Sequence, residues 1–379
     1  MDVMARRPLT QAETLDWLCL SRTERVGPVT FHHLIRRFGT AKAALDALPE
    51  LARRGGRSLK PWPREAAERE LGAVAAAGAR LVAAAEPDYP APLAAIEDAP
   101  PLVTVKGDPA LLLKPAIAVV GARNASANGR RLARDLAREL GAAGLVVVSG
   151  LARGIDAAAH EGALGSGTVA VLAGGIDVPY PPENEALYDR ILAEGGAAVA
   201  ELPPGTEPKA QHFPRRNRII AGLALGVVVV EAALRSGSLI TARLALEQGR
   251  EIFSVPGSPL DPRCQGTNNL LRQGAVLTES AEDVLKVVAA QSGASVRPGQ
   301  TKNYIAESDD YDDFLRPAAT AEGARQAVLG ALSPSPIAVD ELARQCQLPA
   351  SEVAAVLLEL ELGGRIDRHP GHKVSLTIA

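Results

Sequence analysis

The chain has 379 residues, of which 47% are hydrophobic, and a formal net charge of −3. This length allows two or three domains, while the apolar runs are far too short to cross a membrane. Its three cysteines are isolated in the sequence and predict neither a disulfide framework nor a zinc site. Since the first residues lack the apolar core of a signal peptide, we expect a reduced, cytoplasmic protein. We also expect that it needs no metal and no cofactor.

Residues 1–78 are predicted to form a small helical domain. Within them, Glu24–Val29 joins two short helices through a Val-Gly-Pro turn. This pattern is similar to a helix-hairpin-helix (SAM-like) domain, in which glycine lets backbone N–H groups approach a phosphate. A helical domain that serves only for packing explains the same pattern equally well.

Residues 79–289 alternate short apolar runs with helical stretches, which predicts an α/β fold. The first two runs, Arg80–Ala83 and Leu102–Lys106, are separated by a proline-rich segment that suits an extension at the edge of a sheet. Seven later runs predict a doubly wound, mostly parallel sheet: Ile117–Val120, Leu145–Val148, Thr168–Leu172, Ala197–Glu201, Val227–Glu231, Ile252–Val255 and Ala275–Thr278.

A crevice is predicted where two of these strands end. Gly121-Ala122-Arg123 follows the first strand of the series, and Ser149–Gly154 follows the second. Because the carboxyl ends of parallel strands meet at one edge of a sheet, both segments should face the same crevice.

Two further segments suggest that anions bind there. Phe213-Pro214 introduces a helix whose first turn carries Arg215, Arg216 and Arg218. Cations at a helix N-terminus oppose the helix dipole. A phosphate site in the crevice therefore explains three of them better than a solvated helix face does. Ser236-Gly237-Ser238 opens another helix and offers free backbone N–H groups to an anion.

Several enzyme classes can be tested against the residues. The chain has no GxxxxGK[ST] and no GxGxxG motif, which argues against a Walker nucleotide triphosphatase and a classical NAD site. Asp156 and His160 lie near Ser149, but Ser149 lacks the GxSxG context of a nucleophile, so we expect structural roles for them. Glu231 could act as the acid of an N-glycosidic reaction, although bonding to loop N–H groups suits it better.

The C-terminal part begins with a predicted linker, residues 290–320, rich in Ser, Gly and Gln. Residues 321–379 are predicted to form a winged helix, with three short helices and a hairpin around Pro370-Gly371. Its third helix, Ser351–Leu362, carries three glutamates and neither Lys nor Arg. This helix would be repelled by the phosphates of a major groove, so a protein-contact or regulatory role fits it better.

A series of motifs from residue 116 to residue 285 resembles the DprA/Smf family. The motifs occur in the family's order: Gly121–Arg123, Ser149–Asp156 with His160, Val171–Asp177 with Tyr180-Pro181 and Asn184, Phe213–Arg218, Ser236–Thr241, Gly249–Gly257 and Gly266–Asn269. The flanking helical domain and winged helix match longer members more loosely.

This resemblance implies an extended Rossmann-like fold and a DNA-processing protein of natural transformation. Such a protein would bind and protect incoming single-stranded DNA, help to load RecA recombinase, form a homodimer through its Rossmann domain and have no established catalytic activity. The residues expected at the DNA site are Gly121, Ala122, Arg123, Gly150, Arg153, Gly154, Gly174, Gly175, Phe213, Arg215, Arg216, Asn217, Arg218, Ser236, Gly237 and Ser238.

One departure from the family pattern affects these expectations. Ala122 stands where many members have Ser, which removes one hydroxyl donor while the backbone N–H groups and Arg123 remain.

The family is also similar to cytokinin-type phosphoribohydrolases. This similarity leaves a nucleotide-binding enzyme that acts on nucleoside monophosphates as the alternative function. The PGGxGT loop of those enzymes is absent from this chain.

Overall fold

The computed structural model describes residues 6–54, 59–293, 321–369 and 371–377. Contacts divide the chain into two compact units, one containing the residues up to Ser21 with Pro63–Ala290, the other Arg22–Trp62 with the residues from Gln291 onward. The predicted N-terminal domain, residues 1–78, therefore contributes helices to both units. Most of the predicted linker, residues 294–320, lies outside the described residues.

The helices alternate with the strands along most of the described chain. The helices are α1 (Gln11–Arg22), α2 (Pro28–Phe38), α3 (Ala41–Arg54), α4 (Arg64–Ala76), α5 (Ala91–Ala94), α6 (Ala127–Ala142), α7 (Ile155–Ala163), α8 (Glu185–Ala193), α9 (His212–Leu223), α10 (Gly237–Glu247), α11 (Gln265–Arg272), α12 (Ala281–Gly293), α13 (Ala321–Ala331), α14 (Val339–Cys346) and α15 (Ala350–Leu362). The strands are β1 (Ala79–Ala83), β2 (Leu102–Gly107), β3 (Ala116–Val120), β4 (Val146–Ser149), β5 (Thr168–Val171), β6 (Ala197–Ala200), β7 (Gly226–Val229), β8 (Glu251–Ser254), β9 (Val276–Leu277), β10 (Ile337–Ala338), β11 (Ile366–His369) and β12 (Lys373–Leu376).

The first unit is built on a nine-stranded sheet in the order β1-β2-β6-β5-β4-β3-β7-β8-β9. Seven neighbouring strands pair in parallel, in the order β6-β5-β4-β3-β7-β8-β9. At the other end of the sheet, β2 pairs antiparallel with β6 and with β1. The predicted doubly wound, mostly parallel sheet with an added edge is thus confirmed.

Both faces of this sheet are covered by helices. Ile117 and Val119 of β3 pack in one core with residues of α6, α7 and α12, and Ala118 and Val120 pack in the other with residues of α9, α10 and α11. Successive side chains of a strand point to opposite faces, so a strand covered on both sides must be apolar at every position. β3 meets this requirement because all five of its residues are buried.

The second unit contains α2 and α3 together with a winged helix made of α13, α14, α15 and the three-stranded sheet β10-β12-β11. The third helix of the winged helix, α15, buries Val353, Leu357 and Leu360 in the winged-helix core, and α15 also contacts α3. Its Glu361 forms a half-buried ion pair with Arg368 of the wing, at 2.9 Å between Oε2 and Nε. One neighbour of the predicted acidic helix is therefore a helix of the same chain.

None of the helices in the described parts of the chain combines the length and the apolar character that a bilayer span requires.

Candidate nucleic-acid interface

The candidate site lies where the order of the strands reverses. The chain runs outward from β3 through β4 and β5 to β6, then returns to place β7 on the other side of β3. Ligands of open α/β sheets bind beyond the carboxyl ends of the strands at such a switch point. Here that position is bounded by the loop after Val120 and by the segment after Val229.

A buried carboxylate connects these two segments. Glu231, just after β7, accepts hydrogen bonds from the backbone N–H and the hydroxyl of Ser126, at 2.9 and 2.5 Å. Ser126 is also the N-cap of α6, and its hydroxyl oxygen accepts from the N–H of Gly129 at 2.8 Å. A side chain at position 129 would collide with the Glu231 carboxylate and displace it, so glycine preserves the bonds between Glu231 and Ser126. The loop that carries Arg123 is thus held by Glu231 after β7 and by the start of α6.

Arg216 of α9 is buried beneath the crevice. Its Nη1 donates to the carbonyl oxygens of Gly150, at 2.5 Å, and Val171, at 2.6 Å. Burial lowers the pKa of Arg216 to about 10, so the guanidinium remains protonated at neutral pH. Arg216 therefore holds α9 against the ends of β4 and β5.

The counter-charge for Arg216 is Asp156, at the start of α7. Burial raises the pKa of this carboxyl, whereas Arg216 and hydrogen bonds from the backbone oppose that effect. Oδ2 of Asp156 accepts from the N–H groups of Gly150 and Ala152, at 3.1 and 3.4 Å. Asp156 lies in the first turn of α7, as expected of a carboxylate that charges the helix start, but it does not cap the helix, because the N-cap is Gly154. Its hydrogen bonds instead shape the loop after β4.

The idea that three arginines of α9 line the crevice needs correction. Arg218 is buried and pairs with Glu201, at 2.5 Å between Nη2 and Oε1, and it also donates to the carbonyl of Asp98. Arg215 is exposed beside Glu201 and His212 and lines neither part of the crevice. Arg216 and Arg218 are two positions apart in α9, so their side chains lie about 200° apart around the helix and point to different sides. Arg216 and Arg218 are thus held by carbonyls and carboxylates of the protein.

Phe213 stands in the middle of the crevice as an aromatic wall. The guanidinium carbon of Arg123 lies 5.2 Å from the centre of its ring, within cation–π range. The Tyr180 ring meets Phe213 edge-on, with 5.7 Å between centroids. Arg123 is exposed and makes no hydrogen bond or ion pair within the described residues, so its N–H donors are available to a ligand.

The crevice has two chambers that meet at Arg123 and Phe213. The first chamber, about 420 Å³, is lined by Arg123, Asn124, Gly150, Ala152, Arg153, Tyr180, Pro181, Phe213 and Arg216. The second chamber, about 560 Å³, is larger, and its lining includes Gly121, Ala122, Asn217, Arg235, Ser236, Gly237, Ser238, Thr241 and Arg263. Most of the predicted site residues are thus brought together around one aromatic side chain.

Three predicted glycines lie outside the chambers. Gly174 and Gly175 pack against the segment 203–206, and the N–H of Gly175 donates to the Thr206 carbonyl at 2.9 Å. Gly154 is the N-cap of α7 with φ +78°, and a side chain there would meet the carbonyls of Ala122 and Arg123. These glycines support the crevice walls by allowing close backbone approach.

Sequence reasoning also omitted residues that line the chambers, namely Asn124, Tyr180, Arg235, Thr241 and Arg263. Asn124 directly follows Gly121–Arg123, and Arg235 directly precedes Ser236–Ser238. Extending each of these predicted segments by one residue would have included them. No such signal marked Arg263, because its place near the crevice depends on the fold after β8.

Comparison with known families identifies the chain. Residues 80–289 match the family described as DNA recombination-mediator protein A, residues 11–73 match the DprA-like N-terminal HHH domain, and residues 314–372 match the DprA winged helix domain. The chain belongs to the DprA/Smf family.

Two relatives show how far the similarity extends. Protein Smf of Escherichia coli K12 is 39% identical over 317 residues, which cover 83% of this chain and 82% of that protein. DNA processing protein DprA of Streptococcus pneumoniae R6 is 48% identical over 199 residues, 52% of this chain and 70% of that protein.

Two solved structures resemble this DprA/Smf chain. DprA from Streptococcus pneumoniae aligns with a TM-score of 0.55 and 42% identity, covering 59% of this chain and 77% of that one. DNA processing protein A from Helicobacter pylori, whose single-stranded DNA binding mode was determined, aligns with a TM-score of 0.50 and 30% identity. That alignment covers 53% of this chain and 93% of the Helicobacter chain.

The polar groups considered for catalysis have structural partners in this DprA/Smf fold. The Ser149 hydroxyl donates to the Val119 carbonyl at 2.6 Å, and His160 Nδ1 lies 2.8 Å from the Thr168 hydroxyl. His160 is fully buried, and burial lowers its pKa to about 3. The expected packing role of His160 and the expected bonding of Glu231 to loop N–H groups are both confirmed.

Arg216→Ala should destabilise the protein, because two buried carbonyls lose their hydrogen-bond donor and the buried carboxylate of Asp156 loses a nearby positive charge. A buried polar group left unsatisfied costs about 1–3 kcal/mol in free energy of unfolding, and more when a charge is involved. The matched control is Arg215→Ala on the same helix, which should change stability by less than about 0.5 kcal/mol because Arg215 is exposed. Urea unfolding followed by circular dichroism measures both, and equal stability of the two variants would contradict the assigned role.

Proposed function

We propose that this chain binds single-stranded DNA in the crevice, as a protein that processes and protects DNA during natural transformation. The observation that carries the proposal is the juxtaposition of Arg123 and Phe213. The Arg123 guanidinium, which makes no hydrogen bond or ion pair with any described residue, lies 5.2 Å from the centre of a half-buried aromatic ring, in a crevice open to solvent. A phosphate needs the first group and an unpaired base needs the second.

The chemistry of the first chamber supports a single strand over a duplex. Phe213 and Tyr180 offer ring faces and edges to a base, and Arg123 brings positive charge to the phosphates, whereas Arg153 shares its charge with Glu183 at 2.6 Å. A duplex keeps its bases stacked in its interior, whereas a single strand can turn one base onto an aromatic surface. Aromatic residues make up only 3% of the chain, so ion pairing with phosphates must provide much of the affinity.

We further propose that the chain acts in the cytoplasm without catalysing a reaction and hands its strand to RecA recombinase. The family resemblance supports the RecA step, and the exposed crevice is suited to a strand that must be released again. The expected behaviour is an earlier onset of RecA filament formation on a strand covered by single-strand binding protein.

We propose a homodimer formed through the Rossmann-like unit. Three exposed leucines support the β9 side of the sheet as the contact: Leu260 is 90%, Leu246 55% and Leu277 52% exposed. Leu277 belongs to β9, the last strand of the sheet, while Leu246 lies in α10 and Leu260 in the loop after β8. An exposed leucine on an edge strand favours association with a second copy.

Arg123→Ala should weaken binding to single-stranded oligonucleotides of any sequence, because a phosphate contact carries no base information. The slope of log affinity against log salt should fall by about 0.7 for one lost contact. Fluorescence anisotropy across a salt series measures both quantities. The control is Arg138→Ala, an exposed α6 arginine paired with Asp135, which should bind as the wild type does.

The same variant tests the RecA step, since a protein that no longer holds the strand should no longer shorten the lag of filament formation. Unchanged affinity and slope in Arg123→Ala would contradict the proposed DNA site. Normal strand binding by the wild type with an unchanged RecA lag would contradict the RecA step alone.

Leu260→Asp with Leu277→Asp should yield a monomer, because each change places a charge in the proposed apolar contact. Sedimentation velocity at micromolar concentration reads the mass directly. The control is Leu113→Asp, since Leu113 is 54% exposed but precedes β3 on a different segment. A dimer that persists in the double variant would place the interface elsewhere.

A further inference from the structure

The second chamber contains a helix N-terminus that opens into it. α10 has 11 residues and begins beside Ser236, whose hydroxyl oxygen accepts from the N–H of Ser238 at 3.3 Å. The backbone N–H of Gly237 makes no hydrogen bond within the described residues. Such a terminus carries a partial positive charge that favours an anion.

An independent observation concerns Thr241, one turn further along α10. Thr241 is only 2% exposed and lines the second chamber, yet its hydroxyl makes no hydrogen bond within the described residues. A threonine in a helix commonly bonds to the carbonyl four residues earlier, which here is that of Gly237. That carbonyl instead faces the side-chain amide of Asn217, at 3.5 Å from Nδ2. Because the Thr241 side chain is almost wholly buried and lines the chamber, a hydroxyl that bonds to none of the described residues is available to a ligand there.

The charges around the second chamber favour an anion. Arg235 is exposed and has no ion pair within the described residues, and Arg123 forms the boundary with the first chamber. Arg263 also lines the chamber, although its charge is shared with Asp261 at 2.7 Å. The carboxylate that lines it, Asp156, is buried against the Arg216 charge and two backbone N–H groups.

We propose that the second chamber binds a phosphate of the same DNA strand whose neighbouring nucleotide occupies the first chamber. The Gly237 N–H, the Thr241 hydroxyl and the Arg235 guanidinium would hold this phosphate. The inference rests on the proposed function and adds to it a second contact point and a shape for the strand. The strand bends around Phe213, because the ring separates the two chambers.

This bend has a consequence for the choice of sequence. Two bases on opposite sides of an aromatic ring cannot stack on each other, so binding must first break their mutual stacking. Modest preferences among single strands come from stacking strength and backbone flexibility. The crevice should therefore favour thymine tracts over adenine tracts, although no base edge is read.

The test uses the full chain with Thr241→Val, a change of similar shape that removes only the hydroxyl, and with Arg235→Ala. The control is Arg243→Ala on the same helix, an exposed arginine near Glu247. Fluorescence anisotropy with short thymine oligonucleotides should show about tenfold weaker binding for Thr241→Val, since one hydrogen bond to a charged group is lost. Circular dichroism and thermal melting should show that each variant is folded as the wild type is.

A single methylphosphonate moved along the oligonucleotide locates the phosphate. In the wild type, a methylphosphonate at one internal position should weaken binding most, and a methylphosphonate at the adjacent position should weaken binding as well. In Thr241→Val, the methylphosphonate at that adjacent position should no longer change the affinity. A further arm compares oligonucleotides with and without a 5′-phosphate. Sensitivity of the variants to the 5′-phosphate alone would overturn the bent strand, since the chamber would then hold the end of a strand.

The outcomes separate this inference from the proposed function. If Arg123→Ala binds weakly while Thr241→Val and Arg235→Ala bind as the wild type does, the second phosphate contact is wrong and the DNA site stands. If all three variants bind as the wild type does, both are wrong. Equal affinity for thymine and adenine tracts would overturn the bend around Phe213.

Discussion

The crevice depends on one guanidinium that is buried in the protein. Arg216 joins α9 to the carbonyls at the ends of β4 and β5, and Asp156 balances its charge while holding the loop after β4. Removing two charges from water is costly, and this arrangement offsets that cost because both groups are also hydrogen-bonded to the backbone. Phe213 precedes Arg216 on the same helix, so the position of the aromatic ring follows from the hydrogen bonds of Arg216.

The arginines near the crevice have different tasks that depend on their partners. Arg216 and Arg218 are occupied by carbonyls and carboxylates of the protein and fix α9 in place. Arg123 lies on a loop that Glu231 clamps from the neighbouring strand, and its own charge has no ion-pair partner among the described residues. A rigid support beneath an unsatisfied cation is the arrangement that binding a phosphate requires, because little ordering is left to occur on binding.

Much of the fold could be predicted from the sequence. Runs such as β3 are apolar at every position, which only a strand covered on both faces requires, and the alternation of runs with helices then implies the parallel sheet. The placement of Gly121–Arg123 and Ser236–Ser238 at one crevice follows from the same topology. The assignment of α2 and α3 to the unit of the winged helix did not follow, since nothing local marks the partner of a helix.

The roles of the individual arginines could not be predicted in this way. Arg215, Arg216 and Arg218 look alike in the sequence, and what separates them is the set of acceptors that each one meets. Those acceptors come from distant segments, as with the carbonyl of Gly150 for Arg216 and the carboxylate of Glu201 for Arg218. Thr241 belongs to a motif noted in the sequence, but it was not assigned to the site, because an unbonded hydroxyl is visible only when its surroundings are known.

The most direct test of the central claim is photochemical cross-linking with thymine oligonucleotides that carry one 5-iodouracil. Light joins this base to an aromatic side chain that it contacts, and mass spectrometry of the digested protein then identifies the residue. We predict adducts on Phe213 or Tyr180 that disappear when an excess of unlabelled single strand is added. Adducts confined to residues 6–54 or 321–377, with none at the crevice, would contradict the account.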